Sequence, residues 1–128
     1  MGLDMYACAV PAEAVGNQQV DAVFKCEDKD ITKLCYWRKF NHLHGWMEQL
    51  YREKGGKREQ FNCDSVRLDL SDLEKLKRNL NTGLEYTPGF FFGDEEIYPE
   101  DIEKTKQFIK DAEEAIKNGK AVFYDSWW

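Results

Sequence analysis

The chain has 128 residues, of which 42% are hydrophobic and 14% aromatic. This length favours a single domain, 1–128, with enough apolar mass for one packed core, and it excludes wholesale disorder. No apolar run approaches the roughly 18 residues that a membrane helix requires, and Asp4 stands where a signal peptide would be apolar. We therefore expect a cytoplasmic protein that does not contact a membrane.

The net charge of −6 is unevenly distributed along the chain. Residues 1–60 carry nine basic and nine acidic side chains, whereas residues 61–128 carry nine basic and fifteen acidic ones. Most of the acidic excess falls between Asp94 and Glu114. A pI near 5.0 argues against direct nucleic-acid binding, because phosphate neutralisation requires a basic surface. One cluster of basic residues, interleaved with acids, is typical of a solvated loop: Arg52, Lys54, Lys57 and Arg58.

The cysteines favour reduced thiols over a disulfide scaffold, because no secretory signal precedes them and no CxxC motif joins two of them. The four are Cys8, Cys26, Cys35 and Cys63. A zinc site that combined two of them with His42 and His44 would match no common zinc framework. We therefore predict neither a metal site nor a cofactor.

The first half of the chain predicts two strands followed by a long helix. Residues 2–9 alternate, with Leu3, Met5 and Ala7 on one side and Asp4, Tyr6 and Cys8 on the other. A second strand is predicted from Gln19 to Lys25. The acidic turn that follows leads into a helix over 31–54, with Asp30 as a candidate N-cap.

The predicted helix 31–54 divides into three faces when its residues are placed at 100° steps. A core-facing stripe comprises Tyr36, Phe40, Leu43, Met47, Leu50 and Tyr51. The opposite, solvent-facing side comprises Arg38, His42, Gly45, Gln49 and Arg52. A border line between them comprises Trp37, Asn41, His44 and Glu48.

The second half of the chain predicts three strands and two helices. They are a strand over 65–70, a helix over 72–81, a short buried strand over 90–92, a helix that begins near Pro99 and stops at Asn118-Gly119, and a strand over 121–126. Ser71 and Glu74 have the spacing of a capping box for the first of these helices. The complete order predicts an α+β fold, in which a small, mainly antiparallel sheet is covered by about three helices on one face.

The border line is the best candidate for a site, because no nucleophile or phosphate-loop motif is present and no catalytic residue can be named. An indole, an amide, an imidazole and a carboxylate together can recognise a planar polar ligand or a partner loop. The alternative is that Trp37 and His44 cover the edge of the core, while Asn41 and Glu48 bond to a neighbouring loop.

Three motifs carry a resemblance to a known family. The opening MGLDMY, the segment YWRKFNHLHGWM and the later TPGFFFG with its acidic turn resemble a family of small uncharacterised proteins encoded by bacteriophages and prophages. The matching residues are 1–6, 36–47, 87–93 and the pair Thr105-Lys106. Phe40 replaces a small residue of the family pattern, and Gly45 stands where a larger one is expected.

The resemblance implies a phage origin and therefore the cytoplasm of a host cell. It also implies that four polar positions belong to a family motif: Trp37, Arg38, Asn41 and His44. It transfers no catalytic residue.

Together these observations predict a small phage-encoded binding protein, not an enzyme, that acts on a host protein in counter-defence or host takeover. An acidic, DNA-like surface would make it an inhibitor of a basic partner. The acidic residues proposed for that surface are Asp94, Glu95, Glu96, Glu100, Asp101 and Glu103. A solvated helix face is the simpler explanation for them.

Three other functions stay open at this point. A small nucleotide-like ligand could bind with its base on Trp37 and its phosphate on Arg38, aided by Asn41, His44 and Glu48. An enzyme could use His44 as a general base oriented by Glu48, since residues four apart on a helix can touch. A structural role in the virus particle is the last.

Overall fold

The computed structural model describes residues 2–84 and 97–128. Its strands and longer helices are β1 Asp4–Pro11, β2 Thr32–Arg38, α1 Asn41–Glu53, β3 Val66–Leu68, α2 Leu70–Thr82, α3 Pro99–Lys117 and β4 Lys120–Trp127. The strands form one antiparallel sheet in the order β2-β1-β4-β3. An α+β fold with an antiparallel sheet and three helices is therefore confirmed.

The prediction of one helix over 31–54 is wrong in its first part. Residues Thr32–Arg38 form strand β2, and α1 begins only at Asn41. Lys39 separates the two elements with a φ of 57°, a left-handed conformation that a continuous helix does not contain. The aromatic residues of this segment suit a strand, and pairing with β1 over Asp4–Ala9 supplies the long-range partner that decides its state.

The predicted strand Gln19–Lys25 is also wrong, because this segment contributes only an isolated bridge between Val20 and Val66. It runs along the outer edge of β3 instead. The Asp21 N–H donates to the Ser65 carbonyl at 2.9 Å, and the Arg67 N–H donates to the Gln19 carbonyl at 2.8 Å. One edge of the sheet is therefore covered by the chain itself.

The elements predicted in the second half are largely confirmed. Helix α3 has Pro99 in its first turn and Asn118 at its C-cap, as the sequence indicates. Helix α2 begins slightly earlier than expected, and its capping box is formed by Asp69 and Asp72 instead of Ser71 and Glu74. The predicted strand over 90–92 lies outside the described residues.

The core lies between one face of the sheet and the helices. Helix α3 packs on β2 and β4, whereas α1 and α2 pack on β3. Phe40, Leu43 and Met47 of the predicted core stripe share one cluster with Leu3 and Met5, which the alternation of residues 2–9 places on one side. Tyr36 is an exception to the predicted core stripe, because it is exposed on the opposite face.

The opposite face of the sheet divides into two halves. The segment that follows β1 folds over one half and forms a small second cluster: Val10, Val15, Ala121 and Phe123, joined by Phe24. We call the other half the open face and define it by Asp4, Tyr6, Tyr36, Arg38, Asp125 and Trp127. The register aligns Tyr6 with Tyr36 and Asp125, and Asp4 with Arg38 and Trp127, so these side chains leave the same side of the sheet. No helix among the described residues is long and apolar enough to cross a membrane.

Candidate functional site

The residues predicted to form a line on one helix do not do so. Trp37 and Arg38 lie on β2 and, as neighbours in a strand, point to opposite faces of the sheet. Asn41 and His44 are buried at the start of α1, and Glu48 is half-buried one turn later. The border line of the predicted helix was therefore a product of the wrong secondary structure at 32–38.

Trp37 is a core residue. Its indole is fully buried, and its N–H donates to the Thr105 hydroxyl at 3.0 Å. The ring also packs edge-on against Phe108, with ring centroids 5.1 Å apart. The indole thus links β2 to α3 through a hydrogen bond and a ring contact. It has no exposed surface on which a nucleotide base could stack.

His44 belongs to a buried aromatic cluster. Its Nδ1 shares a hydrogen bond of 2.8 Å with the Tyr124 hydroxyl, and its ring stacks on Phe61 at 5.1 Å. Burial lowers the pKa of His44 to about 4, despite an opposing backbone hydrogen bond at Phe61. Burial likewise raises the pKa of Tyr124 well above its usual value, so both groups are neutral at pH 7.

The predicted pair of His44 and Glu48 is not formed. The Glu48 carboxylate instead makes an ion pair of 3.3 Å with Arg52, one turn further along α1. Glu48 is therefore held by Arg52, and the contacts of the His44 ring described above are with Tyr124 and Phe61.

The described residues include only half of the predicted acidic surface. Asp94, Glu95 and Glu96 lie outside the described residues. Glu100, Asp101 and Glu103 occupy the start of α3, where Lys104 and Lys106 follow them. Lys106 lies 3.8 Å from Glu103 and offsets its charge. The described part of α3 is a surface of mixed charge rather than an acidic stripe.

The predicted solvated basic loop contains one residue with a structural role. Lys54 is only 14% exposed in its side chain, and its ammonium lies 2.7 Å from Asp72 and 3.3 Å from Asp69. It therefore joins the end of α1 to the start of α2. Arg58 pairs with Asp64 at 3.3 Å, so this cluster is not a free basic patch.

The open face exposes three aromatic side chains. Tyr6 is 39% exposed, Tyr36 is 45% exposed and Trp127 is 64% exposed. The two tyrosine rings lie against each other across β1 and β2, with centroids 5.5 Å apart. Large exposed aromatic groups that are neighbours on a rigid sheet differ from the scattered apolar residues found on any protein surface.

Asp4, which lies near Arg38, holds the Tyr36 ring in place. The Tyr36 hydroxyl donates to Asp4 Oδ1 at 2.5 Å, and Arg38 Nε lies 4.0 Å from the same oxygen. Hydrogen bonding to Asp4 raises the pKa of Tyr36, and desolvation raises the pKa of Tyr6, so both hydroxyls remain protonated donors. Desolvation also raises the pKa of Asp125 to about 6. The open face is a preorganised aromatic surface with two carboxylates and one guanidinium.

The open face is not predicted from the sequence, although the alternation of the first strand contains part of the signal. The alternation of residues 2–9 already separates Tyr6 from the core residues Leu3, Met5 and Ala7. Tyr36 lies on a segment that is predicted to be helical, and a helix would place this residue in the core stripe. Trp127 follows the last predicted strand directly, and extension of that strand by one residue places it on the same face as Asp125.

Within residues 2–84 and 97–128, no group of three or more His, Cys, Asp or Glu side chains is placed to hold a metal ion. All four cysteines are free thiols.

Comparison of the chain with protein-family models, curated proteins and solved structures found no match. The resemblance of three sequence motifs to phage proteins is therefore not tested by these comparisons, and it enters the functional proposal only as a resemblance. The geometry of the open face must carry the rest.

Proposed function

We propose that this chain is a small, non-catalytic binding protein that contacts a host protein through its open face. The observation that carries the proposal is the exposure of Tyr6, Tyr36 and Trp127 on one face of the sheet, with the two tyrosine rings in contact. Tyrosine, tryptophan and arginine are the side chains that most often dominate the energy of protein interfaces. The setting in a host cell follows from the resemblance to phage proteins.

Rigidity supports this use of the surface. The open face is formed by β1, β2 and β4, whose opposite face packs on the main core. The tyrosine rings are fixed by each other and by Asp4, so little side-chain freedom remains to be lost on binding. A partner would therefore meet a surface that is already in its bound arrangement.

The charge of the surface indicates the kind of partner. Two carboxylates, Asp4 and Asp125, accompany one guanidinium, Arg38, in a chain whose net charge is −6. A partner surface with basic side chains or hydrogen-bond donors around an apolar centre would complement it. The proposal keeps the predicted basic host partner. The contact surface, however, is now the open face of the sheet and not the acidic segment.

The test compares two double variants as affinity baits in host lysate. Tyr36→Ser with Trp127→Ser removes exposed rings from the open face, whereas Val23→Ser with Leu70→Ser removes exposed apolar side chains elsewhere. Each captured protein is then purified, and its affinity for all three baits is measured.

The open-face variant is expected to bind a true partner at least about tenfold more weakly, as loss of central aromatic contacts does at other interfaces. The control variant should retain wild-type affinity. Equal affinity of the open-face variant and the wild type would remove this surface from the proposal.

A further inference from the structure

The six side chains of the open face form a grid of two rows across three strands. Each row takes one residue from β2, one from the middle strand β1 and one from β4. Neighbours in such a grid are about 5 Å apart across the strands and about 7 Å apart along a strand. The rows are Tyr36, Tyr6 and Asp125 in the first, and Arg38, Asp4 and Trp127 in the second.

Two of the three charged groups in the grid are paired with each other. Arg38 Nε lies 4.0 Å from Asp4 Oδ1, and the same oxygen accepts the hydrogen bond of the Tyr36 hydroxyl. The third charged group is Asp125, which β1 separates from Arg38. In the ranges that the structure describes, no hydrogen bond or ion pair holds its carboxylate, and desolvation alone raises its pKa. The described residues thus remove water from this carboxylate without giving it a compensating charge.

The other cations that the described strands place on this side of the sheet do not fill that role. Lys33 lies opposite Cys8 on β2, so β1 also separates it from Asp125. Arg67 of β3 is paired with Asp69, with Nε 3.6 Å from the carboxylate. Residues 85–96 contain no lysine or arginine. A cationic side chain for Asp125 must therefore come from another molecule.

The ionisable groups that Asp125 influences are neutral. Its charge raises the pKa of Tyr6 and Cys8 on β1, of Cys63 before β3 and of Tyr124 on its own strand. Tyrosine hydroxyls and cysteine thiols lose their protons only above about pH 8, so these four groups carry no charge at pH 7. They would therefore not repel a cation that approaches the carboxylate.

Two exposed aromatic rings lie beside the same carboxylate. Tyr6 is directly opposite Asp125 on β1, and Trp127 follows two residues along β4. These rings are 39% and 64% exposed, respectively. A carboxylate beside aromatic rings is a favourable place for a cation, because the ring faces attract positive charge while the carboxylate pairs with it.

We propose that Asp125, Tyr6 and Trp127 form a subsite that takes an arginine side chain of the protein partner. The guanidinium would pair with the Asp125 carboxylate through two hydrogen bonds and lie against one of the rings. A lysine ammonium is less suitable, because it is a compact, strongly hydrated charge that cannot pair in this bidentate way. The inference rests on the proposed function, and it narrows the basic partner to one side chain at one place on the open face.

The test uses a defined probe and not the lysate partner. The probe is Nα-acetyl-arginine amide, and its control is the citrulline analogue, which has nearly the same shape without the charge. NMR signals of the full chain are followed at pH 7 and constant ionic strength while each compound is added to about 50 mM. Arginine should shift the Asp125 amide and Trp127 indole signals with a Kd of about 10 mM, and citrulline should bind at least about fivefold more weakly.

Variants then locate the preference for arginine over citrulline. Asp125→Asn should abolish it, whereas Glu114→Gln, which removes an exposed carboxylate from α3, should keep it. At pH 5 the wild type should also lose most of the preference, because protonation neutralises a carboxyl group whose pKa is about 6.

Three results would overturn the inference. They are equal binding of the two compounds, a preference that survives in Asp125→Asn, and the absence of shifts at Asp125 and Trp127. None of them changes the outcome of the bait experiment with the open-face variant. Failure of the arginine subsite is therefore distinguishable from failure of the binding function.

Discussion

Tyr36 and Trp37 are neighbours in one strand, yet the two faces of the sheet use them in opposite ways. Trp37 is fully buried, bonded to Thr105 and packed on Phe108. Tyr36 is 45% exposed, and its side chain contacts Tyr6 and Asp4 of the open face. Similar aromatic residues therefore serve stability on the helix side and remain available for contact on the other.

The largest expected effect is the loss of the Trp37 side chain. Trp37→Ala should lower the free energy of unfolding by about 3–5 kcal/mol, because it empties a packed site and leaves the Thr105 hydroxyl without its donor. Tyr36→Ala, the matched change on the open face, should cost less than about 1 kcal/mol. Urea melts of both variants measure the difference. Similar losses would show that the two faces contribute equally to stability.

The next effect concerns the ammonium that joins two helices. Lys54→Met should cost about 1–3 kcal/mol, because Asp72 would lose its ion pair in a site where both side chains are 14% exposed. Lys57→Met, in the exposed loop nearby, should cost less than about 0.5 kcal/mol. Thermal and urea unfolding of the two variants provide the comparison. An unchanged free energy of unfolding in Lys54→Met would show that this ion pair contributes no more to stability than an exposed one.

The two faces should also respond to pH with opposite signs. His44, on the helix side, has its pKa lowered from 6.5 to about 4, so the unfolded chain binds its proton first and stability falls as the pH drops from 6.5 towards 4. This loss is at most about 1.4 kcal/mol per pH unit. Asp125, on the open face, has its pKa raised to about 6, so its contribution to stability increases as the pH drops through 6.

The two contributions to the pH dependence of stability oppose each other. A variant that removes one titrating group should therefore show the effect of the other group alone. Asp125→Asn should make the loss of stability below pH 6 steeper than in the wild type, and His44→Gln should make it shallower or reverse it. Urea melts between pH 4.5 and 7 test both directions. Parallel pH profiles for the wild type and both variants would contradict the assignment.

The smallest effect on stability is expected at Trp127. Trp127→Ser should change the free energy of unfolding by less than about 0.5 kcal/mol, since the indole is 64% exposed. Calorimetric unfolding of this variant, beside the affinity measurement described above, separates folding from binding. A large loss of stability would mean that Trp127 supports the fold.

Local sequence patterns were sufficient to predict a helix or strand whose conformation depends mainly on its own residues. Helix α3 follows from the proline in its first turn and the Asn118-Gly119 stop, and β1 follows from simple alternation. The segment 32–38 could not be assigned in this way, because its apolar spacing also suits a helix. Its pairing with β1, nearly thirty residues earlier, decides its state.

The candidate site depended on the same long-range information. Once β2 is known to be a strand, Trp37 and Arg38 separate onto two faces and the predicted border line disappears. Whether Tyr6 is covered depends on the path of the segment after β1, which closes over Phe123 and leaves Tyr6 uncovered. Nothing in the local sequence around Tyr6 encodes that path.

The position of β4 has a consequence for how the molecule folds. β1 and β3 have no contact in the sheet except through β4, which pairs with both and is the last of the four strands in the sequence. Pro11, for example, finds its partner only at Lys120. The pairs β1–β4 and β4–β3 can therefore form only when β4 is present. We expect a single late assembly step in folding, with a high entropic cost for closing the long loop between β1 and β4. During synthesis, the central hydrogen-bond ladders can form only after Lys120–Trp127 has left the ribosome.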